Sequence, residues 1–276
     1  MVFNIFHAPA FLREYVRFFW VLESNEPTPF PFVHRATAEC CPELIFYYKG
    51  EVKLFTSESD PEKTFSSGLY AQSRAFRKFA IEKQFGMLGV YLYPQTIPLL
   101  FSIPANNLSD SNLDISALFG KPGSVLENNV MCASNHEIRI KLICEFLRKR
   151  LVQPQKKSSY LSATIRHAIA TGHMLSVGEM ACECNLSVRQ IERDFQSLSG
   201  FSPRLFSKLT RFRALVENFP NKRNSIADFA YEFNYYDQSH FINDFKRFTG
   251  LSPTQYIRDR EGVEDERMTP ERNSGR

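Results

Sequence analysis

Long apolar runs are missing from this sequence. No stretch reaches the roughly 18 residues that a membrane-spanning helix requires, which argues against a helical membrane protein. Residues 1–10 lack the basic-then-apolar pattern of a secretory signal, so the expected compartment is the cytoplasm. Cysteine is sparse. The six cysteines are scattered, and the spacings Cys40-Cys41 and Cys182-x-Cys184 do not make a disulfide framework. Histidine is equally sparse: His7, His34 and His136 stand in the first half with no His-x-His pair, so the convergent ligand set of a catalytic metal centre is not in view. A strong charge of either sign is lacking as well. With 34 basic and 30 acidic residues, any nucleic-acid reading must rest on where the charges sit.

What the chain does have is enough apolar content, 43% of 276 residues, to build a core or two. Residues 1–152 carry 16 basic and 15 acidic side chains, whereas residues 160–260 carry 13 and 10. Between them residues 153–159, with Pro154, Lys156 and Lys157, have linker composition. Residues 261–276 are almost devoid of apolar side chains and are expected to be a disordered tail. The first part reads as β-rich to about residue 110. The run from Leu44 to Tyr48 and the run from Val52 to Phe55 flank Lys49-Gly50-Glu51, a hairpin-like turn, and further strands are expected near 76–81 and 87–93. Such short strands suggest a barrel or sandwich. From residue 138 the period becomes helical. Ile140, Ile143, Leu147 and Leu151 form one stripe, suited to a dimer contact or to packing on the chain's own strands.

An internal repeat is the strongest signal. Residues 191–203 (IERDFQSLSGFSP) and 241–253 (FINDFKRFTGLSP) are offset by fifty and agree at five of thirteen positions: Asp194/Asp244, Phe195/Phe245, Gly200/Gly250, Ser202/Ser252 and Pro203/Pro253. Each glycine suits the left-handed residue that ends a helix. Each serine can cap the next helix, and each proline fits its first turn. Upstream, helices near 177–184 and 226–233 place Ala181 and Ala230 at matching positions. They are followed by turns at Asn185 and Asn234 and by N-caps at Ser187 and Asp237. The unit is helix, short turn, helix, written twice, as in a helix-turn-helix whose second helix enters the major groove.

Residues 160–258 resemble the DNA-binding domain of AraC/XylS-type transcription regulators. The second copy carries the resemblance best, through Ala230, Asn234-Tyr235, the run from Asp237 to Phe241, Phe245 and the run from Gly250 to Pro253. Asn185 and Asn234 stand where that family usually has glycine. The first part is a weaker match. The run from Cys41 to Phe46, the segment 89–94 and Ile103-Pro104-Ala105 resemble the cupin-like sensing domain found in some members. The expected architecture is therefore α+β. A β-rich, cupin-like barrel with helices occupies 1–152 and an all-α tandem helix-turn-helix occupies 160–260. The resemblance implies a sequence-specific regulator associated with the nucleoid. Its implied partners are promoter DNA, RNA polymerase, a small-molecule effector and a second copy as homodimer. No effector-binding residues, metal or cofactor can be named.

The first recognition helix is expected over 188 to about 198, with Ile191, Phe195 and Leu198 inward. Arg189, Gln190, Glu192, Arg193 and Gln196 face the DNA, the two arginines being suited to guanine. The second is expected over 238 to about 249, with Phe241, Phe245 and Phe248 inward. Gln238, Ser239, Ile242, Asn243 and Lys246 face out, where Gln238 and Asn243 can read adenine and Ile242 a thymine methyl. His240, beside Phe241, reads as structural. Arg204, Lys208, Arg211 and Arg213 on the helix between, with Lys222 and Arg223 beyond it, suit either phosphate contact or a solvated basic face. Two helices on one rigid connector would enter successive grooves about 34 Å apart. Two rivals carry the same module on a different front half: a metal-dependent cupin enzyme and a DNA-repair methyl acceptor, which would need a reactive, zinc-bound cysteine cluster.

Overall fold

The computed structural model describes residues 2–25, 32–55, 62–63, 65–151, 156–217 and 237–262. Eight strands form one antiparallel sheet: β1 Val2–His7, β2 Val16–Ser24, β3 Phe32–Ala36, β4 Glu43–Phe55, β5 Glu62–Lys63, β6 Ser67–Tyr70, β7 Arg77–Leu92 and β8 Asn112–Asp114. They lie in the order β1-β2-β7-β4-β6-β8, with β3 added to β7 and β5 to β4. The barrel expected for the first part is not there. Closure would require the path to return on itself, whereas β1 and β8 end it as edges among the described residues. The α+β class stands; the cupin-like barrel does not.

Two long strands explain the misreading. Lys49-Gly50-Glu51 is not a hairpin turn but a bulged stretch inside β4, which stays paired to β7 on both sides of it. Gly50 takes φ +81°, and a Cβ there would lie 2.6 Å from the Gln84 carbonyl. A left-handed glycine bends a strand at a bulge as readily as it closes a turn. Likewise the strands expected near 76–81 and 87–93 are one strand, β7. Its first part pairs with β3 and its second with β2.

Side chains alternate across this sheet, and both faces are apolar. Phe19, Val21, Leu44, Phe46, Leu88 and Val90 pack on one side against α1 Thr96–Phe101, α2 Ile115–Phe119, α3 Lys121–Cys132 and α4 His136–Arg150. The stripe of α4 belongs to this layer: Ile143 and Leu147 are buried, and Ile140 and Leu151 pack at its margin. On the other face Phe18, Trp20, Leu22, Ile45, Tyr47 and Tyr91 join one apolar cluster with the C-terminal helices. These are α5 Lys156–Thr171, α6 Val177–Cys184, α7 Val188–Ser199, α8 Pro203–Glu217, α9 Gln238–Thr249 and α10 Pro253–Gly262. Helix α5 begins inside the segment read as a linker, and α10 runs just past residue 260. The tail 263–276 lies outside the described residues.

The caps follow the repeat. Ser176 and Glu179 form a capping box on α6, which ends at Asn185 in the left-handed conformation, φ 52°. Ser187 and Asp237 cap α7 and α9, and Gly200 and Gly250 end them at φ 85° and 77°. Phe206 of α8 meets Phe195 of α7 at 5.3 Å between ring centroids, and Phe212 of α8 meets Phe245 and Phe248 of α9 at 5.4 and 4.9 Å. Helix α8 therefore holds both α7 and α9 by aromatic contacts.

Trp20 is the chain's single tryptophan, and it lies across Gly89 of the neighbouring strand. A Cβ at Gly89 would fall 2.0 Å from the indole. Gly89→Ala is expected to displace the ring and destabilise the fold by about 1–3 kcal/mol. Denaturant unfolding followed by Trp20 fluorescence measures this; an unchanged midpoint and emission maximum would show that the ring has room to move.

Candidate nucleic-acid interface and interdomain cavity

The polar faces of α7 and α9 are open. Arg189, Glu192, Arg193 and Gln196 are exposed on α7, with Ile191 and Phe195 buried behind them and Leu198 half-buried. Gln238, Ser239, Asn243 and Lys246 are exposed on α9, opposite buried Phe241, Phe245 and Phe248. Ile242 is half-buried at the edge of that cluster. Arg204 is exposed near the start of α8. Gln190 differs from the others. Its amide donates to both carboxylate oxygens of Asp194 at 2.8 Å and accepts from Arg193 at 2.6 Å. This chain orients Arg193, whose side chain is 73% exposed and so remains free to turn towards a ligand. His240 is exposed, and its backbone N–H completes the Asp237 cap at 2.7 Å.

Two basic residues of α8 serve the fold instead of a phosphate-facing surface. Lys208 pairs with the buried Asp244 of α9 at 2.6 Å. Arg213 points into the front half of the chain, 3.4 Å from Glu39 and 2.8 Å from Glu217. Burial alone would weaken its charge; Glu39 and Glu217 outweigh this and hold the guanidinium firmly protonated. Arg211 donates to the Ser207 carbonyl at 3.4 Å. The residues expected in the second module's first helix and turn, Ala230, Asn234, Tyr235 and Tyr236, lie outside the described residues, as do Lys222 and Arg223.

Arg213 marks a cavity of about 270 Å³ between the sheet and the helical part. Trp20, Ile45, Tyr47, Phe79, Met87 and Tyr91 supply sheet-side walls, and Phe212, Arg213, Val216 and Tyr256 close it from α8 and α10. Two ionisable groups on the sheet, Glu43 and Arg77, line it and act on each other's charge. Glu43 accepts from the Trp20 indole N–H at 2.9 Å. Burial pushes its carboxyl up to about 7, assisted by Glu39 and opposed by the indole bond, Arg77 and Arg213. Arg77 makes one long hydrogen bond, 3.5 Å, to the Ser111 carbonyl. Burial lowers its pKa, and none of the ion pairs found among the described residues involves it. Sequence reasoning missed this cavity. Its polar residues come from β4, β7 and α8, and aromatic abundance by itself does not separate a pocket from a core.

The cysteines do not gather. Cys40 and Cys41 are buried, and burial drives both thiols away from the thiolate, Cys41 to about 12. Among the described residues no group of three or more His, Cys, Asp or Glu is placed to hold a metal ion. No described helix is long and apolar enough to cross a membrane.

Comparison with known proteins places this geometry in a class. Residues 180–259 match the family described as "Helix-turn-helix domain", and residues 4–114 match one described as "Domain of unknown function (DUF6597)". The two matches fall on separate parts of the chain, one on the C-terminal helices and one on the sheet. Among solved structures it is similar to ToxT from Vibrio cholerae O395, at 14% identity over 95% of this chain and 99% of that one, with a TM-score of 0.42. It is also similar to unsaturated fatty acid-bound ToxT from strain SCE256, at 13% identity over 96% and 98%, with a TM-score of 0.43. Its helical part is similar to the DNA-binding domain of AdpA in complex with a target DNA, at 20% identity over 37% and 93%, with a TM-score of 0.32. No curated protein matches the chain in sequence.

The raised carboxyl gives a pH dependence of definite sign. A folded-state pKa near 7 against an ordinary value of 4.5 means that the native state holds the proton longer than the unfolded chain. The stability from protonated Glu43 is complete below the unfolded value and is lost as pH rises through about 7, a change of about 3 kcal/mol. Glu43→Gln is expected to flatten the fall in Tm between pH 5 and 8. Parallel wild-type and variant curves would show that Glu43 titrates normally.

Proposed function

We propose that this chain is a sequence-specific DNA-binding transcription regulator whose affinity for promoter DNA is set by a small molecule held between its two halves. The observation that carries the DNA-binding reading is the pairing of α7 and α9. Each buries an aromatic face on α8 and leaves exposed a face rich in Arg, Gln, Asn and Lys. Arg189 and Arg193 are the proposed guanine readers and Gln238 and Asn243 the proposed adenine readers. Glu192, Gln196, Ser239, Ile242 and Lys246 complete the two faces, Gln190 positions Arg193, and Arg204 meets phosphate. The two helices enter successive major grooves, so one subunit reads a long asymmetric site and a homodimer two of them. Contact with RNA polymerase belongs to the same proposal.

The effector reading rests on the cavity and on Arg77 in its wall, whose guanidinium is buried, makes a long 3.5 Å hydrogen bond and is countered by Asp110 and Glu43 without a direct ion pair among the described residues. Arginine keeps its charge at any ordinary pH, and burying a charge that is incompletely matched is costly. The molecule that fits is compact and largely apolar, and carries one anionic group for Arg77. Because α8 and α10 form part of the walls, such a ligand touches the DNA-binding part directly. Occupied and empty states then differ in affinity for DNA to the extent that the ligand prefers one arrangement of the two halves. A fatty acid is named with one of the similar solved structures, and it shares this pairing of an apolar body with a carboxylate.

Selection from a random DNA pool with the full-length protein at two salt concentrations tests the first part. Enrichment of paired half-elements about one helical turn apart is expected, and Arg193→Ala is expected to weaken the selected site by about tenfold. Binding that is only salt-sensitive and general would sink the regulator reading. Calorimetry with 1-naphthoate tests the second part. The carboxylate is expected to bind the wild type and not Arg77→Gln, while neutral 1-naphthamide binds neither; equal binding of acid and amide would remove Arg77 from the site.

A further inference from the structure

The two glycines related by the repeat share more than a cap conformation. Both are seated on the same short segment of the front half, residues 72–76, which joins β6 to β7. At the end of α7 the Gln72 amide lies 3.4 Å from the Ser199 carbonyl, and the Ser109 hydroxyl donates to the Gly200 carbonyl at 2.9 Å. At the end of α9 the backbone N–H of Phe76 donates to the Arg247 carbonyl at 3.4 Å, and that of Ala38 donates to the Phe248 carbonyl at 2.8 Å. The last carbonyls of a helix have no partner within it. Here those of both recognition helices are met by donors from the other half of the chain.

The side of each glycine that lacks a Cβ is where the contact is made. A Cβ at Gly200 would lie 1.7 Å from the Gln72 amide nitrogen, and one at Gly250 would lie 2.6 Å from the Phe76 ring. Asn185 ends α6 in the same left-handed conformation, and it is exposed. A side chain is thus tolerated at such a cap where nothing docks, and excluded at the two caps where the platform does. The platform is itself braced. Glu39 and Ser73 exchange two backbone hydrogen bonds of 2.9 Å, the Gln72 amide also reaches the Ala105 carbonyl at 3.2 Å, and Arg74 pairs with Asp110 at 2.7 Å.

We propose that residues 72–76 determine the operator geometry that this protein accepts. They grip both recognition helices by their C-terminal ends and fix the separation and tilt at which the N-terminal turns meet DNA. Helix α8 holds α7 through an aromatic contact, and α9 through aromatic contacts and the Lys208–Asp244 pair, all near the middle of each helix; a second point of attachment at the end fixes its tilt. The base-reading ends, at Ser187 and Asp237, lie at the far end of each helix from the platform. Gln72 and Phe76 are positioning residues that touch no base. This proposal rests on the reading of α7 and α9 as recognition helices.

The test uses full-length protein and the operator selected by the wild type, alongside a second operator with one base pair inserted between the half-elements. That insertion turns one half-element by roughly 35° and moves it about 3.4 Å. The wild type is expected to lose at least about tenfold in affinity for the inserted site, a penalty comparable to one wrong base pair. The double variant Gln72→Ala, Phe76→Ala is expected to bind the original operator nearly as well and to lose no more than about threefold on insertion. Should the double variant fail to melt cooperatively, Gln72→Ala alone, which removes the platform's contact with the end of α7 and leaves that with α9, is expected to give an intermediate penalty. If the folded variants discriminate between the two operators as the wild type does, the platform does not set the spacing. If the wild type itself accepts the insertion freely, the geometry is not fixed at all. If the wild type selects no operator, the regulator reading beneath the proposal is what fails.

Discussion

A sheet that is apolar on both faces has to be covered twice. Phe19 and Val21 of β2 point to one side and Phe18, Trp20 and Leu22 to the other, and neither set can be left in water without a cost of about 1.5–3 kcal/mol per large side chain. Helices α1–α4 cover one face. The C-terminal helices cover the other, so the helical part is not tethered loosely to a self-sufficient neighbour. It is one layer of a shared core. The cavity, the Arg213 ion pairs and the platform under the ends of α7 and α9 all arise at this second face, where a sheet and a helical bundle of different shapes meet.

Charge at that face is arranged unevenly. Arg213 is matched by two carboxylates and ties α8 to the front half, whereas Arg77 and Glu43 line the cavity and influence each other's charge without an ion pair among the described residues. A buried ion pair is weak evidence of added stability, since desolvation offsets most of the attraction. Its value here is geometric: it fixes the register of α8 against the cavity wall. The same wall carries Phe212 and Val216 of α8, the helix on which α7 and α9 pack.

The local parts of this structure were legible in the sequence. Ser187, Asp237, Gly200, Gly250, Pro203 and Pro253 specify helix ends through their own backbone preferences, and all stand where the repeat placed them. The inward stripes of Phe195, Phe241 and Phe245 were equally readable, because helical period is a short-range signal. The front half was misread for a long-range reason. A glycine of positive φ between two apolar runs is the mark of a hairpin and of a bulge alike, and only the partner strand β7 tells them apart at Gly50. Whether strands close into a barrel depends on what meets the two edges, which no local pattern states. Arg213 read as a phosphate contact or part of a solvated basic face because its partner Glu39 is 174 residues away. Sequence spacing offered only Glu217, four residues on, as a hint that it was engaged elsewhere.

The caps of α7 and α9 also carry an order in time. Gln72 meets the Ser199 carbonyl across 127 residues of chain, and Ser109 meets Gly200 across 91. Contacts so far apart in sequence form late in folding, after the entropy of closing a long loop has been overcome. On a ribosome, however, the platform is made first. By the time Gly200 and then Gly250 emerge, the surface that completes each helix end is already synthesised, and the two copies of the repeat arrive one after the other at a seat built to take both.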